Sequence, residues 1–287
     1  MPIVVNSNAS ATTASFNLSR ANDALRKSLG RLSSGNRINT PADDAGGLAV
    51  AYKLNSKAGR TSAILQNSQN ALSYLQVQDS GLQTAGKIVD RMAELRVMSQ
   101  DITKNTQDIE NYSKEFIELQ SQLNQVSKEK FNGISLFASS TATAAGTLKT
   151  GTASFSSASY NSFSRTLLTH DSGVSTSGSI NLNVVNFQFM LSIHSTKSGG
   201  SSIDLGNING SNTGTNISST GFITDITEVN VSQFTNIIER IADMRAENGA
   251  EQNRVLNTID LLQTNLTNIE AAHGRIMDTD IALESTR

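Results

Sequence analysis

The chain has 287 residues, of which 37% are hydrophobic and 5% aromatic, with no tryptophan. That is thin for one large globular core and suits long helices that each bury a single stripe. A formal net charge of -2 leaves no basic footprint for nucleic acid or an acidic membrane surface, and the lack of cysteine excludes a disulfide framework and a thiolate metal site.

Residues 1–14 are rich in Asn, Ser, Ala and Thr and read as unstructured. They carry no positively charged n-region, which argues against a cleaved Sec signal. No apolar run in the chain is long enough to insert into and span a bilayer. From about Ser15 to Ser33, Leu18, Ala21, Leu25, Leu29 and Leu32 recur at three- and four-residue steps. This predicts an amphipathic helix whose apolar face needs a partner. Ser33, Ser34 and Gly35 punctuate its end, Pro41 pushes Thr40 out of the helical region, and Asp43 and Asp44 stand where a new helix would be capped.

A second helix is predicted from about Leu48 to Ser99, bent near Gly59. Leu65, Leu72, Leu75, Leu82, Val89 and Met92 form its seam, which Ser68, Asp79 and Gly86 interrupt. Ile109, Tyr112, Phe116, Leu119, Leu123 and Val126 mark a third helix. It ends at Lys128-Glu129-Lys130, ahead of Phe131-Asn132-Gly133.

Between Ala138 and Asn230 Ser, Thr, Gly and Asn dominate. Ile180-Leu182-Val184 and Phe187-Phe189-Leu191-Ile193 alternate as strands with a phase change at Val185-Asn186, and Gly199-Gly200 is placed to turn a hairpin back through Ile203 and Leu205. Helical periodicity returns at Phe234, Ile237, Ile241 and Met244. After a polar stretch around Gly249 it continues through Val255, Ile259, Leu262, Leu266, Ile269, His273 and Ile276. Two striped helical blocks flanking a β-rich insertion must pack on each other, because neither stripe can stay in water. The expected fold is mainly α: a long antiparallel, coiled-coil-like helical rod built from both chain ends, with an inserted β-rich outer domain. Its expected boundaries are 1–43 for an assembly helix, 44–137 with 231–276 for the rod, 138–230 for the insertion, and 277–287 for the start of a C-terminal segment.

The stretch SGNRIN followed by ADDAGGLAVA resembles the most characteristic run of bacterial flagellins, usually SGLRIN and ADDAAGLAIA. Gly35, Arg37, Ile38, Asn39, Ala42, Asp43, Asp44, Ala45, Gly47, Leu48 and Ala49 match, while Asn36 and Gly46 depart. The resemblance is renewed at Phe131-Asn132-Gly133, at Gln252-Asn253-Arg254 and from Arg275 to Asp280. It covers both helical blocks and not the insertion.

This resemblance implies a secreted, self-polymerising subunit of the flagellar filament, exported by the flagellar type III apparatus and used in swimming. Export chaperone, cap and junction proteins are its implied partners. Flagellins usually carry a further terminal helix that pairs with the first one, and the sequence reads as lacking it. Arg91, Leu95 and Glu115 correspond to the flagellin patch read by a vertebrate Toll-like receptor, and their alternative reading is as solvated helix faces. The residues expected to carry assembly are Leu18, Leu25, Leu29 and Leu32, with Arg31, Arg37, Asp43 and Asp44 around the corner. A hook–filament junction adaptor and a surface adhesin using 138–230 are the competing readings.

Catalysis finds little support. His170 and His194 belong to no HExxH zinc motif, His273 occupies a core heptad position, and the pairs Asp43/Asp44 and Asp278/Asp280 are explained as caps and solvated charges. KSGGSS at Lys197 lacks the order of a phosphate loop. No enzyme activity, cofactor or metal is expected.

Overall fold

The structure, a computed structural model, describes residues 8–138, 147–155, 158–193, 203–207, 218 and 221–286. The chain divides into two compact units, Met1–Ala63 with Leu261–Arg287, and Ile64–Asp260.

Helix α1 spans Ala9–Ser34. Its first turns, expected to be unstructured, are helical for a local reason. The Asn8 side chain caps them by accepting from the Ser10 and Ala11 amides at 3.1 and 3.2 Å, and Ala9, Ala11 and Ala14 are strong helix formers. Gly35, at φ 72°, closes the other end by donating its N–H to the Arg31 carbonyl at 2.8 Å. Helix α2 spans Ala45–Met98 and runs unbroken through Gly59. Helix α3, Thr106–Ser127, opens with a reciprocal capping box between Asn105 and Asp108.

Strands β1 (Lys130–Phe131) and β2 (Ile134–Ser135) form a tight hairpin. Its two turn residues, Asn132 and Gly133, both have positive φ, as a primed turn demands. Strands β3 (Phe137–Ala138), β4 (Thr147–Phe155), β5 (Ala158–Leu168) and β6 (Ser179–Asn186) make a sheet in the order β3-β6-β5-β4, with only β3 and β6 parallel. Helix α4 spans Phe187–Leu191, strands β7 (Ser192–Ile193) and β8 (Ile203–Asp204) pair antiparallel, α5 spans Val231–Met277, and α6 spans Ile281–Ser285. The expected turn at Gly199-Gly200 lies outside the described residues.

The expectation of a strand from Phe187 to Ile193 is corrected by α4. Asn186 caps that helix through the Phe189 amide at 3.1 Å, and Phe187, Met190 and Leu191 are buried at i, i+3 and i+4. The phase change read at Val185-Asn186 is this cap.

In the unit Ile64–Asp260, α2 packs with α3 and α5. Leu75, Leu82, Val89 and Met92 of α2 share one core with Phe116 and Leu123 of α3 and Phe234, Ile237, Ile241 and Val255 of α5. Phe116 and Phe234 meet edge to face, 6.2 Å between ring centres. Each such buried side chain contributes about 1.5–3 kcal/mol relative to exposure. Ile180, Leu182 and Val185 of β6 and Phe187, Met190 and Leu191 of α4 enter the same core.

The residues that interrupt the α2 seam have local explanations. The Ser68 hydroxyl donates to the Ile64 carbonyl at 2.9 Å, Asp79 pairs with Arg245 at 2.9 Å, and Gly86 faces the Ile241 side chain. Buried Gln78 accepts from Asn248 at 2.7 Å, and Asn248 accepts from Gln252 at 2.6 Å. Polar groups buried this way need partners, and here they supply one another.

Candidate functional site

The corner sought in the sequence lies within the unit formed by Met1–Ala63 and Leu261–Arg287. Asp44 caps α2 by accepting from the Gly47 amide at 2.8 Å. Asp43 faces back instead, accepting from the Asn39 and Thr40 amides at 3.3 and 3.1 Å and from Lys27 at 2.6 Å. The Lys27 ammonium, followed by the Thr40 and Asn39 amides, holds the Asp43 carboxyl well below the usual carboxylate range. That charge is therefore kept down to acid pH, and its contribution to the corner is lost only as pH falls through the depressed value.

Arg31 stands between two carboxylates, 4.0 Å from Asp43 and 3.4 Å from the buried Glu284 of α6, which also accepts from Ser28 at 2.9 Å. The C-terminal segment is bonded to the corner by its main chain. Arg37 donates through Nε and Nη2 to the Ile276 carbonyl at 3.2 and 2.9 Å, the Thr279 amide donates to the Gly35 carbonyl at 3.0 Å, and Asn36 bridges to Asp278. Arg37 also lies 3.9 Å from Asp44.

Thus Arg31, Arg37, Asp43 and Asp44 come together in one network that ties the chain's two ends. Lys27, Ser28 and Glu284 complete it. Of these, only Lys27 had a sequence signal, standing one turn before Arg31 on the same helix face. The leucines behave differently. Leu18, Leu25 and Leu29 are 65%, 58% and 56% exposed, Leu32 is half-buried, and α1 has no buried residue.

Two adjacent glycines separate the cap from the rest of the helix. A Cβ at Gly47 would collide with the Asp44 carboxylate and fall 3.0 Å from Ile38, whereas one at Gly46 would meet Asp44 at an ordinary 3.6 Å. Gly47→Ala is expected to break the cap and cost about 1–2 kcal/mol, while Gly46→Ala should stabilise the first turn by about 0.5–1 kcal/mol. Amide hydrogen exchange at positions 47 and 48 reads both: faster in the first variant, slower in the second.

Elsewhere, Arg91 donates to Glu115 at 2.8 Å and to Glu94 at 3.1 Å on the exposed faces of α2 and α3. Leu95 is fully buried in the core beneath them. His170 meets Asp171 at 3.2 Å and Ser172 at 3.0 Å, both through the same Nδ1. A nucleophile–base–orienter relay needs both ring nitrogens. His194 lies outside the described residues, and His273 is half-buried on α5. Among the described residues no three His, Asp or Glu side chains cluster to hold a metal ion, and no described helix is long and apolar enough to cross a membrane.

Long helices from both ends of the sequence, tied at a polar corner and carrying an uncovered leucine stripe, define a structural assembly protein. The family models for the bacterial flagellin N-terminal and C-terminal helical regions match residues 5–142 and 231–287. The chain belongs to the bacterial flagellin family, whose members are structural, non-enzymatic proteins of the flagellar filament that serve motility.

It is 28% identical to the flagellar filament 33 kDa core protein of Treponema phagedenis, covering 98% of this chain and 88% of that one. Identity to flagellin FlaB2 of Treponema pallidum is 27% over the same shares. Flagellin A of Vibrio cholerae is 33% identical over 45% of this chain and 34% of its own. A crystal structure of Bacillus cereus flagellin aligns over 72% of this chain and 94% of its own, with a TM-score of 0.45 and 20% identity. The expectation that the C-terminal helix is lacking is corrected: the C-terminal helical region is matched through Arg287, and α6 already sets Glu284 against α1.

Proposed function

We propose that this flagellin polymerises through the apolar stripe of α1, with the corner fixing the direction in which that helix leaves α2. The observation that carries this is the exposure of Leu18, Leu25 and Leu29 on a 26-residue helix with no fully buried residue. Exposed leucines in such a stripe suit contacts with other subunits, and contacts between unlike faces produce an open helical polymer. Arg31, Arg37, Asp43 and Asp44 act by holding the corner, while Leu18, Leu25, Leu29 and Leu32 make the contacts. Segment 1–43 is the assembly region, 44–137 with 231–276 the helical body, 138–230 the outer insertion, and 277–287 the C-terminal continuation.

The double variant Leu25→Asp/Leu29→Asp tests this. It is expected to remain soluble with unchanged helicity and thermal transition, and to form no filaments by negative-stain electron microscopy. Ordinary filaments from it would refute the role given to α1. Export chaperone, cap and junction proteins are proposed partners on the strength of the family alone. For the Toll-like receptor, Arg91 and Glu115 offer an exposed ion pair, with Leu95 as the buried support under it.

A further inference from the structure

At one level of the unit Ile64–Asp260 the apolar seam between α2 and α5 gives way to amides. Gln78 is fully buried and Asn248 is 3% exposed. The Asn248 side chain donates to Gln78 Oε1 at 2.7 Å, and its own Oδ1 accepts from Gln252 at 2.6 Å. Gln78 in turn donates through Nε2 to the Leu136 carbonyl at 2.9 Å, and Glu251 accepts from the Asn183 amide with both carboxylate oxygens, at 2.8 and 3.0 Å. Two helices, the approach to β3 and strand β6 are thus tied at a single height by groups that each need a particular partner.

Three contacts align α2 with α5. Besides Gln78 with Asn248, Asp79 pairs with Arg245 at 2.9 Å and Gly86 faces the Ile241 side chain. Counted in helical turns from there, the helices run antiparallel, with Leu82 level with Met244, Val89 with Ile237 and Met92 with Phe234, all in or packed on one core. The apolar pattern does not choose that alignment. A slip of one heptad in one direction sets Val89 against Met244 and Met92 against Ile241, and in the other it sets Leu82 against Ile237 and Ala85 against Phe234. Either keeps apolar against apolar. The amides tolerate neither slip: Gln78 would face Val255 or Ile241 and Asn248 would face Ala85 or Ala71, each buried without the hydrogen bonds it now makes. The Asp79–Arg245 pair is open to water and adds little to the choice.

We propose that the Gln78–Asn248 layer is a register lock, contributing alignment rather than stability. It fixes which turn of α5 lies against which turn of α2 and, through the Leu136 carbonyl and Asn183, where β3 and β6 sit on the helices. The lock belongs to the single chain and does not depend on the filament reading. An open polymer needs it all the same, because its contacts repeat only between subunits of one register.

The test replaces both amides by apolar side chains, Gln78→Leu with Asn248→Leu, in the full chain. The Leu136 carbonyl keeps the Tyr74 hydroxyl, at 3.4 Å, and the half-buried Gln252 can turn to water. Because the chain has no native cysteine, nitroxides are attached at Gln83→Cys on α2 and Asn257→Cys on α5, both exposed, and pulsed dipolar spectroscopy reads the distance between them. With the native amides one distance is expected. The double leucine variant should add a second population displaced by one heptad along the helix axis, about 10 Å, with a thermal midpoint equal to or above the parent's. Gln78→Leu alone leaves the Asn248 amide against an apolar side chain and should melt below both. A single distance in the double variant overturns the lock, since packing would then choose the register. A double variant that melts below the parent, or no lower than Gln78→Leu alone, overturns it as well, since the two amides would then act separately and for stability.

Discussion

Replacing Asp204 by asparagine is expected to stabilise the unit Ile64–Asp260 at pH 8 and to change little at pH 4. Asp204 lies on β8 opposite Ser192 of β7, with its side chain almost wholly out of water. Burial pushes its carboxyl up to about 7, and the hydrogen bond from Gln188 offsets only part of that shift. In the unfolded chain the same group titrates near its ordinary value of 3.8. The folded state therefore holds the proton more tightly. Its contribution is fully present below pH 4 and is lost as pH rises through 7.

Across that window the loss is on the order of 4 kcal/mol. Asparagine has the shape of the protonated acid and does not ionise, so Asp204→Asn should remove this part of the pH dependence. At pH 8 the thermal midpoint should rise by about 10 °C. Circular-dichroism melts of parent and variant at pH 4, 6 and 8 supply the comparison. The difference between the two proteins isolates Asp204 from groups such as Asp43, whose linkage has the opposite sign. Parallel curves at all three pH values would show that the carboxyl is ionised in the folded chain.

Nothing around Asp204 in the sequence announces this burial, and the contrast with α3 shows where pattern reading succeeds. Phe116, Leu119, Leu123 and Val126 repeat at helical steps because α3 has one apolar face over many turns, so the period is sampled often enough to be read. The run from Phe187 to Ile193 is too short for that. Its alternation fits a strand, and the helix that wins is decided by one capping side chain, Asn186.

Composition misleads in the same way at the start of α1. Asn, Ser, Ala and Thr suggest a solvated tail, whereas Asn8 and the alanines after it make a capped helix. At the corner, Gly35 and Asp44 were legible because capping is local. The engagement of Asp43 by Lys27 and of Glu284 by Arg31 and Ser28 was not legible, because it depends on how α1 and the C-terminal segment meet.

Gln120 carries that point to a measurable extreme. Hydrophobic patterning places it on the inward side of α3, between Phe116 and Leu123, and it is fully buried there. By composition alone a methionine of similar length and high helix propensity would suit the position better. Its hydrogen bonds require glutamine instead. The Gln120 amide donates to the Ile223 carbonyl at 2.8 Å and accepts from the Ile223 amide at 3.0 Å, so one side chain binds both backbone groups of that residue. Ser113 accepts from the Ile226 amide at 3.3 Å and Asn124 donates to the Gly206 carbonyl at 2.9 Å, extending the same polar row along α3. Methionine would remove both of these hydrogen bonds from the buried Ile223 backbone, at about 1–3 kcal/mol each. Gln120→Met is therefore expected to cost about 2–5 kcal/mol in denaturant unfolding, while Gln83→Met on the exposed side of α2 stays within about 0.5 kcal/mol. Equal effects at the two positions would mean that the Ile223 backbone is served by water and that α3 holds this segment by apolar packing alone.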